Sequence, residues 1–161
     1  MRISHRGLYA LQALIHLAEA YERGLVKIRE IADAESIPEK FLEGILVILK
    51  NARVVSSERG REGGYRLRRP PAEIRIGDVV RLIDGPLAPF GDAAELEQRV
   101  RTEPRHAGLF ALFLDVRNAA AAILDHTSLL DLVERNRQVL AARARKAARP
   151  QPGERRERAR A

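Results

Sequence analysis

The stretch IREIADAESIPEKFLEGILVIL (residues 28–49), followed by VVSSERGREGGYRL (residues 54–67), decides the fold of this chain. Apolar residues at three- and four-residue spacing predict a short helix over about 28–35 and another from Pro38 to about Asn51. Proline suits a first helical turn because its φ is preset and it has no N–H to leave unpaired there. Two short helices joined by a tight turn are typical of a helix-turn-helix.

The second stretch has the pattern of a β-hairpin. Val54 and Val55 begin one strand, Tyr65 and Leu67 lie in its partner, and a glycine-rich turn joins the two. We expect the turn glycines to supply backbone with positive φ and to remove side chains that would hold the backbone away from a ligand. A glycine-containing hairpin directly after a helix-turn-helix is typical of the wing of a winged helix.

Positive charge is concentrated at the tip of this hairpin, where Arg59 and Arg61 flank Gly60. Arginine at that position would neutralise DNA phosphates and would be drawn to the negative potential of a narrow minor groove. The alternative is a solvated hairpin whose charges keep a sheet edge soluble. The position beside a helix-turn-helix favours the wing.

Composition bounds the remaining choices. The chain has 161 residues, 45% of them apolar and only 4% aromatic, which indicates a core of Leu, Ile, Val and Ala and hence a mostly helical protein. Charge is uneven: residues 1–70 hold 13 Lys/Arg and 9 Asp/Glu, residues 71–141 hold 8 and 11, and residues 142–161 hold 8 and 2. A polyanion is therefore the first expected partner of the basic N-terminal part.

Several classes of protein are excluded by what the sequence lacks. There is no cysteine, so disulfides, cysteine-held iron–sulfur clusters and thiol switches are all ruled out. No signal-peptide pattern and no apolar run of transmembrane length stand out, so we expect a cytoplasmic protein. No nucleotide-binding loop, nucleophile elbow or zinc-protease motif is present, and we expect no enzymatic activity.

Helices are predicted on both sides of the helix-turn-helix and wing. Residues 4–22 predict an amphipathic helix capped by Ser4, and residues 74–86 predict a shorter helix. The apolar residues expected to face inward on the first helix are Leu8, Leu11, Ile15 and Ala18, with Leu14 and Leu17 widening the stripe.

The longest periodic segment runs from about residue 103 to 126 and is apolar on two faces. Such a helix must be covered on two sides, and the rest of the chain offers too little structure for that, so we predict a homodimer through this helix. Residues 87–103, before it, are expected to form a loop that contains a helical turn. The predicted dimerisation residues are Leu109, Leu112, Phe113, Val116, Ala120 and Ile123.

The C-terminal part is predicted to be one helix and a tail. Thr127 or Ser128 is expected to cap a last helix over about 128–141. Residues 142–161 are basic and have almost nothing with which to pack, so we expect them to be disordered. Such a tail would either add salt-sensitive, nonspecific affinity for nucleic acid or serve only as a solubilising extension.

In helix-turn-helix proteins the N-terminal end of the second helix faces the bases. Here Lys40 could donate a hydrogen bond to guanine or to phosphate, while Glu39 or Glu43 could accept one from a cytosine amino group. The alternative for Glu39 is a capping box with Ser36, which would turn its side chain to solvent.

Four motifs together resemble the Rrf-two (Rrf2) family of bacterial winged-helix transcription factors: RISHRGLYAL, IREIA with IPEKFLEGIL, VSSERGREGGYRL, and IRIGDVVRLIDGP. The resemblance covers residues 1–86 closely, and the long helix is similar to the family's dimerisation region. It implies a dimer on a partly palindromic operator, with the helix 38–51 in the major groove and the wing in the minor groove. By position it also implies that Glu43 reads bases, that Lys40 makes a neighbouring polar contact and that Arg59 is the wing arginine. The full set of predicted DNA-binding residues is Arg6, Pro38, Glu39, Lys40, Glu43, Arg59, Gly60, Arg61, Gly63, Gly64 and Tyr65.

The chain departs from cluster-binding relatives, which place three cysteines between the IDGP helix and the long helix. His106 lies near where some relatives supply a histidine ligand, but a lone histidine without thiolates makes a poor site for a soft metal. Asp92, Glu95 and Glu97 lack the spacing of a calcium-binding loop. We therefore expect no metal and no cofactor.

The sequence thus predicts a mainly α protein with a small β-wing. Its parts are a winged helix-turn-helix DNA-binding domain at 1–86, a loop at 87–103, the dimerisation helix and following helix at 104–141, and a basic tail at 142–161. The expected function is that of a homodimeric transcriptional regulator, a repressor, which binds double-stranded DNA sequence-specifically and answers a small-molecule or protein effector without a cluster. The alternative is a winged-helix protein-interaction module with weak or nonspecific DNA binding.

Overall fold

The computed structural model describes residues 3–86 and 92–147, which form seven α-helices and one two-stranded antiparallel hairpin. The predicted fold class, mainly helical with a small wing, is confirmed. Short 3-10 turns at Tyr21–Arg23, Pro71–Glu73 and Pro104–His106 join some of the elements. The elements are α1 (His5–Glu19), α2 (Ile28–Glu35), α3 (Glu39–Asn51), β1 (Val55–Glu58), β2 (Gly64–Leu67), α4 (Ile76–Asp84), α5 (Ala93–Thr102), α6 (Ala107–His126) and α7 (Leu129–Ala147).

The core lies between α1, α2, α3, the hairpin and α4, and it is aliphatic as the composition predicted. The inner face of α3 is fully buried through Leu42, Ile45, Leu46 and Leu49. Each such side chain contributes about 1.5–3 kcal/mol by leaving water. This burial fixes which face of α3 remains exposed to solvent.

Helix α1 packs through most of the predicted stripe: Leu14 and Leu17 are buried and Leu11, Ile15 and Ala18 pack against the core, with Leu8 as the exception. Ser4 caps it as expected, accepting a hydrogen bond from the Gly7 N–H at 3.0 Å, but Leu8 is 50% exposed. Helix α1 contacts α2, α3, α4 and α7, and small alanines let it approach several neighbours closely. Its buried residues are Gly7, Ala10, Ala13, Leu14 and Leu17.

The turn between α2 and α3 excludes the predicted capping box. Ser36 ends α2 in the left-handed conformation, with φ 54° and ψ 41°, and Pro38 is the N-cap of α3 without a side-chain cap. Ser36 is therefore two residues away from the N-cap position that a capping box with Glu39 requires. The turn is held instead by burial of Ile37 and by its N–H, which donates to Ala32 O at 2.9 Å.

One residue from outside the hairpin, Val26, pairs with the free edge of β2. Strands β1 and β2 pair with Val55 opposite Leu67 and Glu58 opposite Gly64. Val26, between α1 and α2, bridges Tyr65 through two backbone hydrogen bonds of 2.8 Å. The hairpin is thereby fixed to the helix-turn-helix.

Only one of the three wing glycines has the positive φ expected of all of them: Gly60, at +112°. At the other two the requirement is space rather than φ. A Cβ on Gly63 would collide with the Glu58 carbonyl oxygen, and a Cβ on Gly64 would lie 2.5 Å from Val26 O.

Helix α4 connects the winged helix to α6. Near its end, Asp84 accepts hydrogen bonds from Ser4 N at 2.9 Å and Ser4 Oγ at 2.5 Å. One turn earlier, Arg81 donates to Asp125 Oδ1 at 2.6 Å, and this bond, reinforced by the two nearby carboxylates, raises the pKa of Arg81. Both contacts are of the charge-assisted type, which is stronger than a neutral hydrogen bond.

The predicted loop at 87–103 is largely helical. Asp92 caps α5 by accepting the Glu95 N–H at 2.8 Å, and Leu96 is fully buried against α6. The guanidinium of Arg99 lies 4.1 Å from the centroid of the Phe110 ring, a cation–π contact. Residues 87–91 of the predicted loop lie outside the described residues.

Helix α7 starts where predicted and continues further. Ser128 N donates to Asp131 Oδ2 at 2.8 Å and Asp131 N donates to Ser128 Oγ at 3.2 Å, a reciprocal capping box. Ser128 Oγ also donates to Asp131 Oδ2, at 2.7 Å, and the two hydrogen bonds that Ser128 donates to this carboxylate lower the pKa of Asp131. The helix runs to Ala147 rather than 141, so residues 142–147 of the predicted disordered tail are helical; residues 148–161 lie outside the described residues.

Candidate nucleic-acid interface

The exposed face of α3 carries the residues predicted to contact bases. Glu39, Lys40 and Glu43 are all exposed, because the buried leucine and isoleucine side chains of this helix lie on its opposite face. Lys40 and Glu43 are three residues apart and therefore neighbours on one face. Pro38, the N-cap, is exposed beside them.

The wing residues predicted for DNA contact divide into two groups. Arg59, Gly60 and Arg61 are exposed at the tip. Gly64 is buried against Val26, and Tyr65 packs half-buried on the core, so these two residues hold the wing in place. Gly63 forms the turn, where its N–H donates to Gly60 O at 3.0 Å.

A cleft of about 500 Å³ separates the wing from the helix-turn-helix. Its cationic lining consists of Lys27, Arg29, Lys50, Arg59 and Arg61, with Glu58 as the acidic residue. Five positive side chains around one concave surface create a field suited to a phosphate backbone.

Sequence reasoning missed three residues of this cleft: Lys27, Arg29 and Lys50. They belong to the start of α2 and the end of α3, and the sequence does not show that both meet the wing. The only signal in the sequence is a basic residue near each of these helix ends. Such a residue cannot be told apart from an ordinary charged residue on a solvated surface.

Arg6 lies in the first turn of α1 and is exposed, outside the lining of the cleft. The same part of α1 approaches the start of α3 through Tyr9, whose ring packs edge-on against Phe41 at 5.7 Å. Arg6 is thus carried by a segment that contacts α3 rather than by α3 itself.

The two apolar faces predicted for α6 have different environments. Phe110 is buried and Ala121 and Leu124 pack against the core, whereas Phe113 and Ala120 are half-buried. The remaining predicted dimerisation residues, Leu109, Leu112, Val116 and Ile123, are between 45% and 68% exposed. Helix α7 adds Leu130, Val139 and Leu140 to the exposed apolar surface, three residues that are not among the predicted dimerisation residues.

By length and composition alone, the segment Pro104–His126 would be long and apolar enough to cross a membrane. Asp115 and Arg117 stand near the middle of that segment, where a bilayer would make their charge costly. One side of the helix is moreover packed against α4 and α5. These features favour a protein-protein contact for its exposed side.

An exposed helix and an arginine-tipped wing on one basic surface define the winged-helix class of nucleic-acid-binding proteins. The Rrf2 family model, described as an iron-dependent transcriptional regulator, matches residues 3–135. The chain therefore belongs to the Rrf2 family, whose members are DNA-binding transcriptional regulators rather than enzymes.

Three similar proteins illustrate this membership. A protein of Mycobacterium tuberculosis (strain ATCC 25618 / H37Rv) named for the HTH-type transcriptional regulators is 42% identical over 132 residues, 82% of this chain and 81% of its own length. The structure of CymR, the global cysteine regulator of B. subtilis, superposes with a TM-score of 0.68 at 32% identity, covering 83% of this chain and 97% of that one. The structure of T. potens IscR gives 0.64 at 26% identity, covering 94% and 93%.

The residues of this chain do not fit a cysteine-ligated iron centre. The sequence has no cysteine, and Asp92 is committed to capping α5. His16 has Glu35 3.3 Å from Nδ1 and Glu30 3.9 Å from Nε2, on opposite sides of the ring, so the three cannot converge on one ion. Within 3–86 and 92–147, no group of three or more potential ligands is placed to hold a metal.

Proposed function

We propose that this chain is a cytoplasmic, homodimeric transcriptional repressor that binds a partly palindromic operator without an iron–sulfur cluster. The observation that carries the proposal is the shared basic cleft, where the end of α3, the start of α2 and the tip of the wing meet. A single phosphate backbone running through that cleft would touch all three elements.

In the proposed complex α3 enters the major groove and the wing reaches the adjacent minor groove. Lys40 donates to guanine or phosphate, and Glu43 accepts from a cytosine amino group. Arg59 and Arg61 neutralise phosphates and favour a narrow minor groove. Two acidic residues on this face reduce general affinity, so their contribution is to selectivity.

The dimer is proposed to form through the exposed side of α6, extended by α7. Uncovered leucine, valine and isoleucine side chains along two consecutive helices support this seam. Two copies joined in this way present two winged helices, and the seam sets the spacing of the half-sites.

An effector is proposed to act on the segment 87–104, which contains α5, and to change the relative placement of the winged helices through α6. The contacts of α4 with both α1 and α6 support this route. Binding of a small molecule or a protein there would favour one arrangement of the dimer over another.

The test is a salt titration of binding to the promoter region upstream of the chain's own gene and to random duplex DNA. A sequence-specific regulator should prefer its promoter at least about a thousandfold. Equal affinities would favour the second candidate function, a protein-docking winged helix, for which the exposed apolar α6–α7 surface is the supporting observation.

Arg59→Ala provides the residue-level prediction. Loss of one wing cation should weaken promoter binding about tenfold and reduce the salt slope by about one, because one fewer phosphate is neutralised. Arg101→Ala, which removes an exposed arginine of α5 away from the cleft, is the matched control and should leave binding unchanged. If Arg59→Ala binds like the control, the wing assignment is wrong.

A further inference from the structure

An aliphatic side chain lies uncovered in the middle of the proposed DNA-facing surface. Val47 is 53% exposed on α3, and its neighbours one turn away on that surface are Glu43 and Gly44 before it and Lys50 and Asn51 after it. All of these residues are exposed, and a Cβ added to Gly44 would meet nothing within 4 Å among the described residues.

Packing of the protein accounts for neither Val47 nor Gly44. The core is contacted by the opposite side of α3, through Leu42, Ile45, Leu46 and Leu49. Valine and glycine are both poorer residues than alanine in a helix interior, so neither strengthens α3 by propensity. On the exposed surface of α3, Val47 therefore forms a small apolar projection next to the space left by Gly44, which has no side chain.

We propose that Val47 is a specificity-determining residue that contacts the 5-methyl group of thymine in the major groove. The inference rests on the proposed function. The methyl group of thymine is the apolar feature that a base pair displays in that groove, and aliphatic side chains recognise it by contact. Gly44, without a side chain, lets the backbone of α3 approach the base edges closely enough for the short valine to reach.

The surrounding charge selects DNA over an apolar protein partner as the occupant of this surface. Lys50, three residues after Val47, lines the basic cleft together with Lys27, Arg29 and the wing arginines. A polyanion satisfies these cations while bringing thymine methyl groups within reach, whereas a hydrophobic protein surface would leave the cations desolvated and unpaired.

The position of Val47 also constrains the half-site. Residues four apart on a helix are separated by about 6 Å along its axis, and stacked bases by about 3.4 Å. The thymine contacted by Val47 therefore lies within about two base pairs of the cytosine read by Glu43.

The experiment removes the contacting methyl groups from the DNA and from the protein separately. An operator is first selected from random duplexes with the full chain. Each thymine in it is then replaced by uracil, which deletes only the 5-methyl group, and affinities are measured by fluorescence anisotropy for the wild-type chain, Val47→Ala and Val100→Ala. Val100, on α5, is half-buried and provides a matched truncation outside both the proposed DNA-facing surface and the proposed α6–α7 seam.

The wild-type chain and Val100→Ala should lose about fourfold in affinity per half-site at one symmetry-related pair of thymines, the value expected for one methyl group's burial. Val47→Ala should bind the thymine operator with the same deficit and should no longer distinguish thymine from uracil at that pair. These two results together support the inference.

Other results overturn it in distinguishable ways. Tight, selective binding with no thymine sensitivity refutes the valine contact but leaves the proposed regulator intact. Thymine sensitivity that persists in Val47→Ala has the same meaning. If no operator is selected at all, the proposed function fails, and the valine contact fails with it.

Discussion

At the scale of single residues, glycine has two different purposes in the wing. Gly60 is required for its backbone angle, and Gly63 and Gly64 for the space that a Cβ would fill. The glycine cluster, and the hairpin it marks, could be predicted from the sequence. Which purpose each glycine has could not, because the obstacle at Gly64 is Val26, a residue 38 positions earlier in the chain.

Gly64→Ala should destabilise the protein by about 1–3 kcal/mol, because the new methyl group overlaps backbone atoms that hold the wing on the helix-turn-helix. Urea denaturation at neutral pH measures the change.

Gly44→Ala is the matched control, since the same methyl group enters open space on a helix. It should stabilise the chain by up to about 1 kcal/mol through helix propensity. Equal effects of the two substitutions would show that close packing at Gly64 does not limit the fold.

At the scale of elements, local signals found most helices and many of the residues that they bury. Caps such as Ser4 and Ser128 could be recognised from sequence because their hydrogen bonds are local. The exposure of Leu8 and the burial of Ala10 and Ala13 on α1 depend on contacts with other helices, and no local pattern records these. Helix α5 was underestimated because prolines near both of its ends favoured a loop, although its cap Asp92 was visible.

The cap of α7 gives a pH prediction. Because hydrogen bonds from Ser128 lower the pKa of Asp131 in the folded chain, the unfolded chain takes up its proton first as pH falls below the ordinary value of 3.8. The contribution of this carboxylate to stability is therefore present above that pH and lost as pH falls through the lowered pKa.

Thermal unfolding between pH 2.5 and pH 6, about the usual range for carboxylates, should show a smaller acid-induced fall in Tm for Asp131→Asn than for the wild-type chain. Asp33→Asn changes an exposed aspartate of α2 that caps no helix and should retain the full fall. A wild-type profile in Asp131→Asn would mean that the capping box does not discriminate between the charged and neutral forms.

At the scale of the whole molecule, the two ends of the chain differ in how completely they bury their apolar residues. The winged helix has an enclosed core, whereas α6 and α7 leave a long aliphatic surface in contact with water. The two-faced periodicity of α6 predicted this surface from sequence. The predicted dimerisation residues lie mostly on its exposed side, but the sequence does not show that α4 and α5 pack against the other side.

Ile123→Glu, at the most exposed of the predicted dimerisation positions, should produce a monomer, because a charge in an apolar seam is left without a partner. Light scattering measures the mass and circular dichroism verifies that the helices remain. Val47→Glu, the same kind of change on α3, should remain a dimer. An unchanged dimer mass in Ile123→Glu would place the seam elsewhere.

Helix α4 is anchored at two points one turn apart, to Ser4 through Asp84 and to Asp125 through Arg81. A short rigid rod held in this way behaves as a lever. We expect a tilt of α6 to reach the N-terminal part of α1 in this way, where the ring of Tyr9 packs against Phe41 in the first turn of α3. Movement at the proposed seam between two copies would then reorient the helix that is proposed to meet the bases.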